Sequence, residues 1–193
     1  MRLAGPQRVC VFCGSRDGAN PRYLQAARQL GQSLAVAGHE VVYGGSRSGC
    51  MGALADGALQ AGGRVIGIVP RHLHADEQRH TGLSVLEITD DLASRKLRMF
   101  ARSDAVLVLP GGSGTLDEFL EALTMKRIGQ LQLPIALVDL EYFFAPVVAM
   151  LRHFVATGFA EGTQMQLFAH LDSVPSACEW VATHAVLKQR VAI

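Results

Sequence analysis

This sequence has almost no charge imbalance and no long apolar run. Its 18 basic and 17 acidic residues leave a formal net charge of +1, so no long-range field would draw nucleic acid or an anionic membrane to it. No segment approaches the roughly 18 consecutive apolar residues that a membrane-spanning helix needs, and the N-terminal apolar run is too short for a signal peptide. We therefore expect a cytoplasmic protein with a small-molecule partner.

Cysteine is sparse, at four residues, which we expect to stay reduced in the cytoplasm. Cys10 and Cys13 spell C-x-x-C, but their odd spacing along a predicted strand points them to opposite faces. The redox form of this motif sits at a helix N-terminus instead. Both cysteines are therefore predicted to be core residues.

The common nucleotide-binding signatures are also missing. The chain has no G-x-x-x-x-G-K-[ST] and no G-x-G-x-x-G after its first predicted strand. These absences disfavour an ATPase and an NAD-dependent dehydrogenase.

The chain does contain a regular alternation of apolar strand-like runs and helical segments. Its 193 residues, 49% of them hydrophobic and 18% charged, are typical of one globular domain over 1–193. Near-continuous apolar strands separated by helices predict an α/β, Rossmann-like doubly wound parallel sheet with helices on both faces. The predicted strands are 8–13, 40–45, 64–70, 104–110, 134–140 and one near 168; the predicted helices are 21–37, 50–61, 90–102, 115–129, 142–157 and about 175–190.

Three glycine-rich turns follow predicted strands, at residues 13–20, 43–58 and 110–118. Glycine lets backbone N–H groups approach a phosphate closely, and a helix N-terminus adds partial positive charge. In a doubly wound sheet, these turns converge beyond the carboxyl ends of the strands, where ligands bind. Together they predict a site for a phosphorylated ligand.

The third turn, PGGSGTLDE at 110–118, places acids directly after the glycines. Thr115 and Glu118 match a capping box, in which Glu118 would only stabilise the start of a helix. A carboxylate here could instead face the anomeric carbon of a sugar phosphate, stabilising an oxocarbenium-like transition state and orienting water. The pattern alone leaves both interpretations open.

Two linked motifs resemble a known family. PGGSGTLDE fits P-G-G-x-G-T-x-x-E, and SRKLRMF at 94–100 fits R-K-x-x-M, both typical of the LONELY GUY cytokinin riboside 5′-monophosphate phosphoribohydrolases. Segments 11–31, 43–52 and 62–70 also look like the N-terminal half of this family, so the resemblance covers roughly residues 8–160. Its members are often labelled lysine decarboxylases, a name that the residues here do not support.

The resemblance implies a homodimer that cleaves the bond between an adenine-type base and ribose 5-phosphate, with no metal or organic cofactor. The substrate would be a cytokinin riboside 5′-monophosphate or AMP, bound in a cleft close to the subunit contact. Arg95 and Glu118 would be the catalytic pair. The other implied site residues are Gly111, Gly112, Gly114 and Thr115 around the phosphate, Gly14, Ser15, Gly44 and Gly45 along the nucleotide cleft, and Lys96 and Glu121 as supporting charges.

Two departures from the family concern the base rather than the reaction. Members usually carry tryptophan where this chain has Met125, and often a histidine where it has Leu92, Ala93 and Ser94. Neither departure replaces a member of the charged pair. The natural base, adenine or isopentenyladenine, therefore stays open.

Other functions also remain open. A non-catalytic nucleotide-binding module would keep the glycine turns and use Glu118 only as a cap. A pyridoxal phosphate decarboxylase needs a Schiff-base lysine, and the chain offers just Lys96, Lys126 and Lys188.

A metal hydrolase could use the polar segment 70–84, which we otherwise expect to be a mobile loop. Its candidate ligands are His72, His74, Asp76, Glu77 and His80. Loop histidines are usually solvated, and a metal would leave the glycine turns unexplained.

Overall fold

The computed structural model describes residues 6–74 and 79–184 of the chain. Seven strands form one sheet: β1 (Arg8–Phe12), β2 (Glu40–Tyr43), β3 (Val65–Pro70), β4 (Val85–Thr89), β5 (Ala105–Val108), β6 (Ile135–Val138) and β7 (Ala169–Leu171). The α-helices in these ranges are α1 (Pro21–Val36), α2 (Gly49–Gln60), α3 (Arg71–His74), α4 (Leu92–Ala101), α5 (Ser113–Arg127), α6 (Ala145–Ala156) and α7 (Val174–His184). Short 3-10 helices cover Leu140–Tyr142 and Gly162–Gln166.

The sheet confirms the doubly wound prediction. Its strand order is β4-β3-β2-β1-β5-β6-β7, and every neighbouring pair is parallel. The chain runs outward from β1 to β4 and then returns to the other side of β1 through β5. This reversal opens a crevice at the carboxyl ends of β1 and β5, where doubly wound sheets bind their ligands.

Two apolar clusters cover the two faces of the sheet. One takes buried side chains from α1, α2 and α7, and the other takes them from α4, α5 and α6. Cys10 and Cys13 are buried in different clusters, as their spacing predicts, and all four cysteines are free thiols. Trp180 packs in the first cluster rather than in a cleft.

Helix α1 begins and ends as its sequence indicates. The Asn20 side chain accepts a hydrogen bond from the Arg22 N–H at 3.0 Å, and Pro21 occupies the first helical position. Gly38 follows the helix at a φ of +80°, in the left-handed region that glycine tolerates.

Helices α1 and α2 pack with their backbones in close contact. A Cβ at Gly31 would overlap the carbonyl oxygen of Leu54, and a Cβ at Gly57 would overlap that of Arg28. Glycine is therefore required at both positions by the approach of the neighbouring helix.

The sequence-based prediction is wrong within segment 70–84 and just after it. Residues 71–74 form the short helix α3, and strand β4 follows at Val85–Thr89. Strand β4 lies at the edge of the sheet and its side chains are only partly buried, so it lacks the continuous apolar run of the inner strands. Asp76 and Glu77 lie outside the described residues. In the described ranges, no helix has the length and apolar character to cross a membrane.

Candidate active site

A cleft of about 900 Å³ opens at the carboxyl ends of β1 and β5. It is lined by the turns that follow these strands, by the starts of α1, α2, α4 and α5, and by one aromatic side chain after β6. Its lining residues include Gly14, Ser15, Arg16, Asp17, Tyr23, Cys50, Met51, Leu92, Arg95, Lys96, Gly111, Gly112, Ser113, Gly114, Thr115, Asp117, Glu118 and Phe143.

Helix α5 presents its N-terminus to this cleft. It begins at Ser113, after Gly112 in an extended conformation, and its first amides have no acceptor within the helix. The Leu116 N–H is the first to be satisfied, donating to the Gly112 carbonyl at 3.1 Å. Such an end, with partial positive charge and free N–H groups, suits a phosphate.

The capping-box interpretation of Thr115 and Glu118 is wrong. The N-cap is Gly112, which has no side chain to cap the helix, so Thr115 lies inside the first turn. Glu118 lies one turn further, and its carboxylate is paired with Arg95 instead of with the start of its own helix.

The glycines of this turn have two different surroundings. A Cβ at Gly111 would overlap the Thr115 side chain and would lie 2.8 Å from the Gly14 amide nitrogen, so only glycine fits between these two segments. A Cβ at Gly112 or Gly114 would meet nothing within 4 Å. Gly112 and Gly114 therefore leave open space beside the amides of α5, where a phosphate would need it.

Arg95 and Glu118 form an ion pair at the inner wall of the cleft, between α4 and α5. Their side chains are only 11% and 10% exposed. Burial raises the pKa of Glu118 to about 7, although the positive charge of Arg95 acts in the opposite direction. A carboxyl group that titrates near neutral pH, next to a fixed guanidinium, is suited to proton transfer.

Lys96 adds a second charged contact between the same helices. Its Nζ lies 2.8 Å from the Asp117 carboxylate and also pairs with Glu121. The pKa of Lys96 is raised overall. Burial alone would lower it, but the hydrogen bonds to the two acids have the larger combined effect. Glu121 supports Lys96 from outside the set of residues that line the cleft.

The residues after β1 and β2 occupy different parts of the site. Gly14 and Ser15 line the cleft, and the Gly14 N–H donates to the Pro110 carbonyl at 3.1 Å, tying the two turns together. Gly44 lies behind the Arg95–Glu118 pair, since a Cβ there would be 3.1 Å from a terminal guanidinium nitrogen of Arg95. Gly45 packs against Val69 away from the cleft lining.

Several lining residues carry no motif that sequence reasoning could have used. Tyr23 and Phe143 meet edge to face, with ring centroids 5.5 Å apart, and form an aromatic wall. Met51 and Leu92 add apolar surface elsewhere in the cleft. Met125, where the family usually has tryptophan, packs against the core cluster of α4, α5 and α6 and is not among the lining residues.

The rival chemistries find little support in the described residues. Lys96 is held as a cation by two acids, which opposes the neutral amine that a Schiff base needs. Burial lowers the pKa of Lys126, but its Nζ donates to the Leu133 carbonyl at 2.7 Å and it does not line the cleft. Lys188 lies outside the described residues. Among the described residues, no three His, Cys, Asp or Glu side chains are grouped to hold a metal. His80 instead contacts Asp56 at 3.1 Å and accepts a hydrogen bond from the Gly82 N–H.

Sequence comparison relates the chain to a set of named enzymes. Residues 51–181 match a family model described as "Possible lysine decarboxylase". A cytokinin riboside 5′-monophosphate phosphoribohydrolase from Rhodococcoides fascians is 38% identical over 155 residues, covering 80% of this chain and 78% of the relative. One from Arabidopsis thaliana is 34% identical over 175 residues, covering 91% and 81%.

Structural comparison gives the same fold at lower sequence identity. A molybdenum cofactor binding protein from Rippkaea orientalis superposes with a TM-score of 0.69, covering 92% of this chain and 96% of the other at 24% identity. A likeness at this identity establishes the architecture and not the ligand.

Proposed function

Since this chain belongs to the family of cytokinin riboside 5′-monophosphate phosphoribohydrolases, we propose that it hydrolyses the N-glycosidic bond of such a nucleotide. The products are the free base and ribose 5-phosphate, and AMP is the simplest substrate of the same kind. One observation carries the proposal: the buried Arg95–Glu118 pair faces the same cleft as the amides at the start of α5.

The N-terminus of α5 and the Glu118 carboxylate would face different parts of the ligand. The N-terminus of α5 and the open space at Gly112 and Gly114 would receive the 5′-phosphate. Glu118 lies one helical turn further along α5, so it would face the ribose rather than repel the phosphate. With the phosphate and ribose in this order, the anomeric carbon would lie near the carboxylate.

Glu118 would then act on water and on positive charge. As the bond from C1′ to the base nitrogen breaks, its electron pair leaves with the base and C1′ gains oxocarbenium character, which the carboxylate stabilises. Water attacks C1′ and gives its proton to Glu118. The departing base takes up a proton from solvent, and Glu118 releases the proton it took from water back to solvent. The net change is therefore one water consumed, with its OH on C1′ and one proton on the base, and the Glu118 carboxylate is restored.

Arg95 would hold Glu118 and the substrate in place. Its guanidinium pairs with the Glu118 carboxylate through a terminal nitrogen. Its side chain also lines the cleft, so the guanidinium would face the ribose or the departing base, which its N–H groups can hold through hydrogen bonds. We propose that the reaction uses no metal or organic cofactor.

We further propose that the protein is a cytoplasmic homodimer whose second copy covers the β4–α4 edge, close to the cleft. Leu92 and Leu97, on the helix that carries Arg95, are 48% and 51% exposed, and Ile88 on the neighbouring strand β4 is 37% exposed. The outer edge of β4 pairs with no described strand, and Leu92 lines the cleft. Light scattering after size-exclusion chromatography should give twice the mass of the chain, and Leu97→Arg should lower it.

The direct test is incubation of the purified protein with AMP and with isopentenyladenosine monophosphate, followed by chromatography of free base and ribose 5-phosphate. Equal amounts of the two products support the proposal, and the ratio of the rates identifies the preferred base. A protein that releases neither base, while both nucleotides raise its melting temperature, would be a binding module instead.

A further inference from the structure

Arg16 is a basic side chain of the cleft that the catalytic pair does not use. It follows Gly14 and Ser15 in the turn after β1, its side chain is exposed, and it lines the cleft. Within residues 6–74 and 79–184, its guanidinium has no hydrogen bond or ion pair. An unpaired guanidinium at a cleft is a ready partner for an anion.

The charge of the cleft makes this arginine distinctive. Among the residues that the structure describes, three basic and three acidic side chains line it. Arg95 is matched by Glu118, and Lys96 is matched by Asp117, so both cations are already neutralised by acids. Arg16 is the remaining cation, and it forms no ion pair with its neighbour Asp17.

The backbone of Arg16 is fixed beside the phosphate-binding turn. The Cys50 N–H donates to the Arg16 carbonyl at 3.4 Å, and a Cβ at Gly49 would overlap the Arg16 backbone. A Cβ at Gly14 would lie 3.2 Å from the Arg16 carbonyl oxygen and 3.3 Å from the Cα of Gly111. The long side chain of Arg16 therefore starts from an anchored position next to the turn that leads into α5.

We propose that Arg16 binds the 5′-phosphate of the nucleotide and makes the cleft select a phosphorylated ribose over an unphosphorylated one. This inference rests on the proposed function for the identity of the ligand. The amides of α5 provide hydrogen bonds and partial charge, whereas Arg16 provides the full positive charge that a phosphate dianion requires. Without Arg16, the cleft would carry more acidic than basic side chains and would oppose an anion.

The test compares wild type with Arg16→Ala in two assays. Calorimetry with ribose 5-phosphate should show about 10- to 100-fold weaker binding, the usual effect of losing hydrogen bonds to a charged group. The weak binding of ribose should not change. With AMP, KM should rise by a similar factor while kcat stays within about twofold, because the contact is the same in the ground state and the transition state.

Two further variants separate phosphate binding from a loss of structure. Arg16→Lys keeps the charge and should recover part of the affinity. Arg152→Ala removes an exposed arginine from α6, outside the cleft lining, and should match wild type in both assays. Melting temperatures of all variants establish that the fold is intact.

The outcomes distinguish this inference from the proposed function. Ribose 5-phosphate affinity that stays within about twofold in Arg16→Ala, an equal loss of ribose affinity, or a wild-type protein that binds no ribose 5-phosphate would each overturn it. If wild type binds ribose 5-phosphate through Arg16 but releases base from neither nucleotide, the inference stands and the proposed reaction fails.

Discussion

Helices α1 and α2 meet through their backbones, whereas α4 and α5 meet through charged side chains. Gly31 and Gly57 let the carbonyls of the opposite helix approach where a Cβ would not fit. Between α4 and α5, Arg95 reaches Glu118, and Lys96 reaches Asp117. The first contact holds the fold together, and the second holds ionisable groups at the cleft.

The second arrangement is a poor way to stabilise a protein. Burying a carboxylate and a guanidinium removes both from water, and their attraction often only offsets that cost. The raised pKa of Glu118 is a sign of this penalty. Such groups cluster at functional sites, so variants at the two contacts should lose different properties: stability at α1–α2 and activity at α4–α5.

The largest effect is expected for Glu118→Gln. Glutamine is close in shape and keeps a hydrogen-bond acceptor for Arg95, but it takes no proton from water. Base release from AMP should fall about 10³-fold, while the melting temperature and the AMP affinity stay near those of wild type. If the variant keeps more than about a tenth of the wild-type rate, Glu118 is not the catalytic base and its role is structural.

Arg95→Gln should come next, with kcat about 100-fold lower, because it removes the guanidinium that pairs with Glu118 and that would face the substrate in the proposed reaction. The matched control is Arg98→Gln on the same helix. Arg98 pairs with Glu87 outside the cleft, so its loss should change kcat less than about twofold. Equal losses in both variants would mean that α4 needs basic residues for packing alone.

Gly31→Ala should lower stability and leave activity unchanged, the reverse of the result expected for Glu118→Gln. The added methyl group overlaps the Leu54 carbonyl and forces α1 and α2 apart, costing about 2 kcal/mol in the free energy of unfolding measured with urea. The specific activity of the folded protein should stay within about twofold. Gly162→Ala adds the same group in open space and should change stability by less than about 0.5 kcal/mol.

The smallest effect is expected for Lys96→Met. The charge of Lys96 lowers the pKa of Glu118, so its removal should raise that pKa further. The rate at pH 7 should fall about threefold, and the rate at pH 9 should hardly change. Stability should fall by about 1 kcal/mol, because the pair with Asp117 is largely exposed, whereas Glu121, which is 30% exposed, also loses its partner. A uniform loss of rate at both pH values would mean that Lys96 contacts the substrate.

The inner part of the fold could be predicted from sequence and its edge could not. β1, β5 and β6 are short runs with almost every side chain buried, so each is visible as a continuous apolar segment. β4 is an edge strand that pairs with β3 alone among the described strands. Glu87 interrupts its apolar residues and pairs with Arg98 and Arg102. A pattern search has no clear signal for such a strand.

The candidate site could be located from the sequence where backbone chemistry dictates residue type. The glycines at 111–114 follow from the need for a close approach and open space beside helix amides, and the family motifs pointed to Arg95 and Glu118. Tyr23 and Phe143 come from separate segments and meet only in the folded chain. The capping-box interpretation was wrong because the N-cap of α5 is Gly112, three residues before Thr115.

The pH dependence of kcat/KM tests most directly whether Glu118 acts as the base. A base must be ionised, so kcat/KM should be constant above pH 8 and fall about tenfold per unit below a pKa of about 7. The residual activity of Glu118→Gln should lack this fall. A wild-type profile that is flat from pH 5.5 to 8.5, or the same fall in Glu118→Gln, would contradict the account.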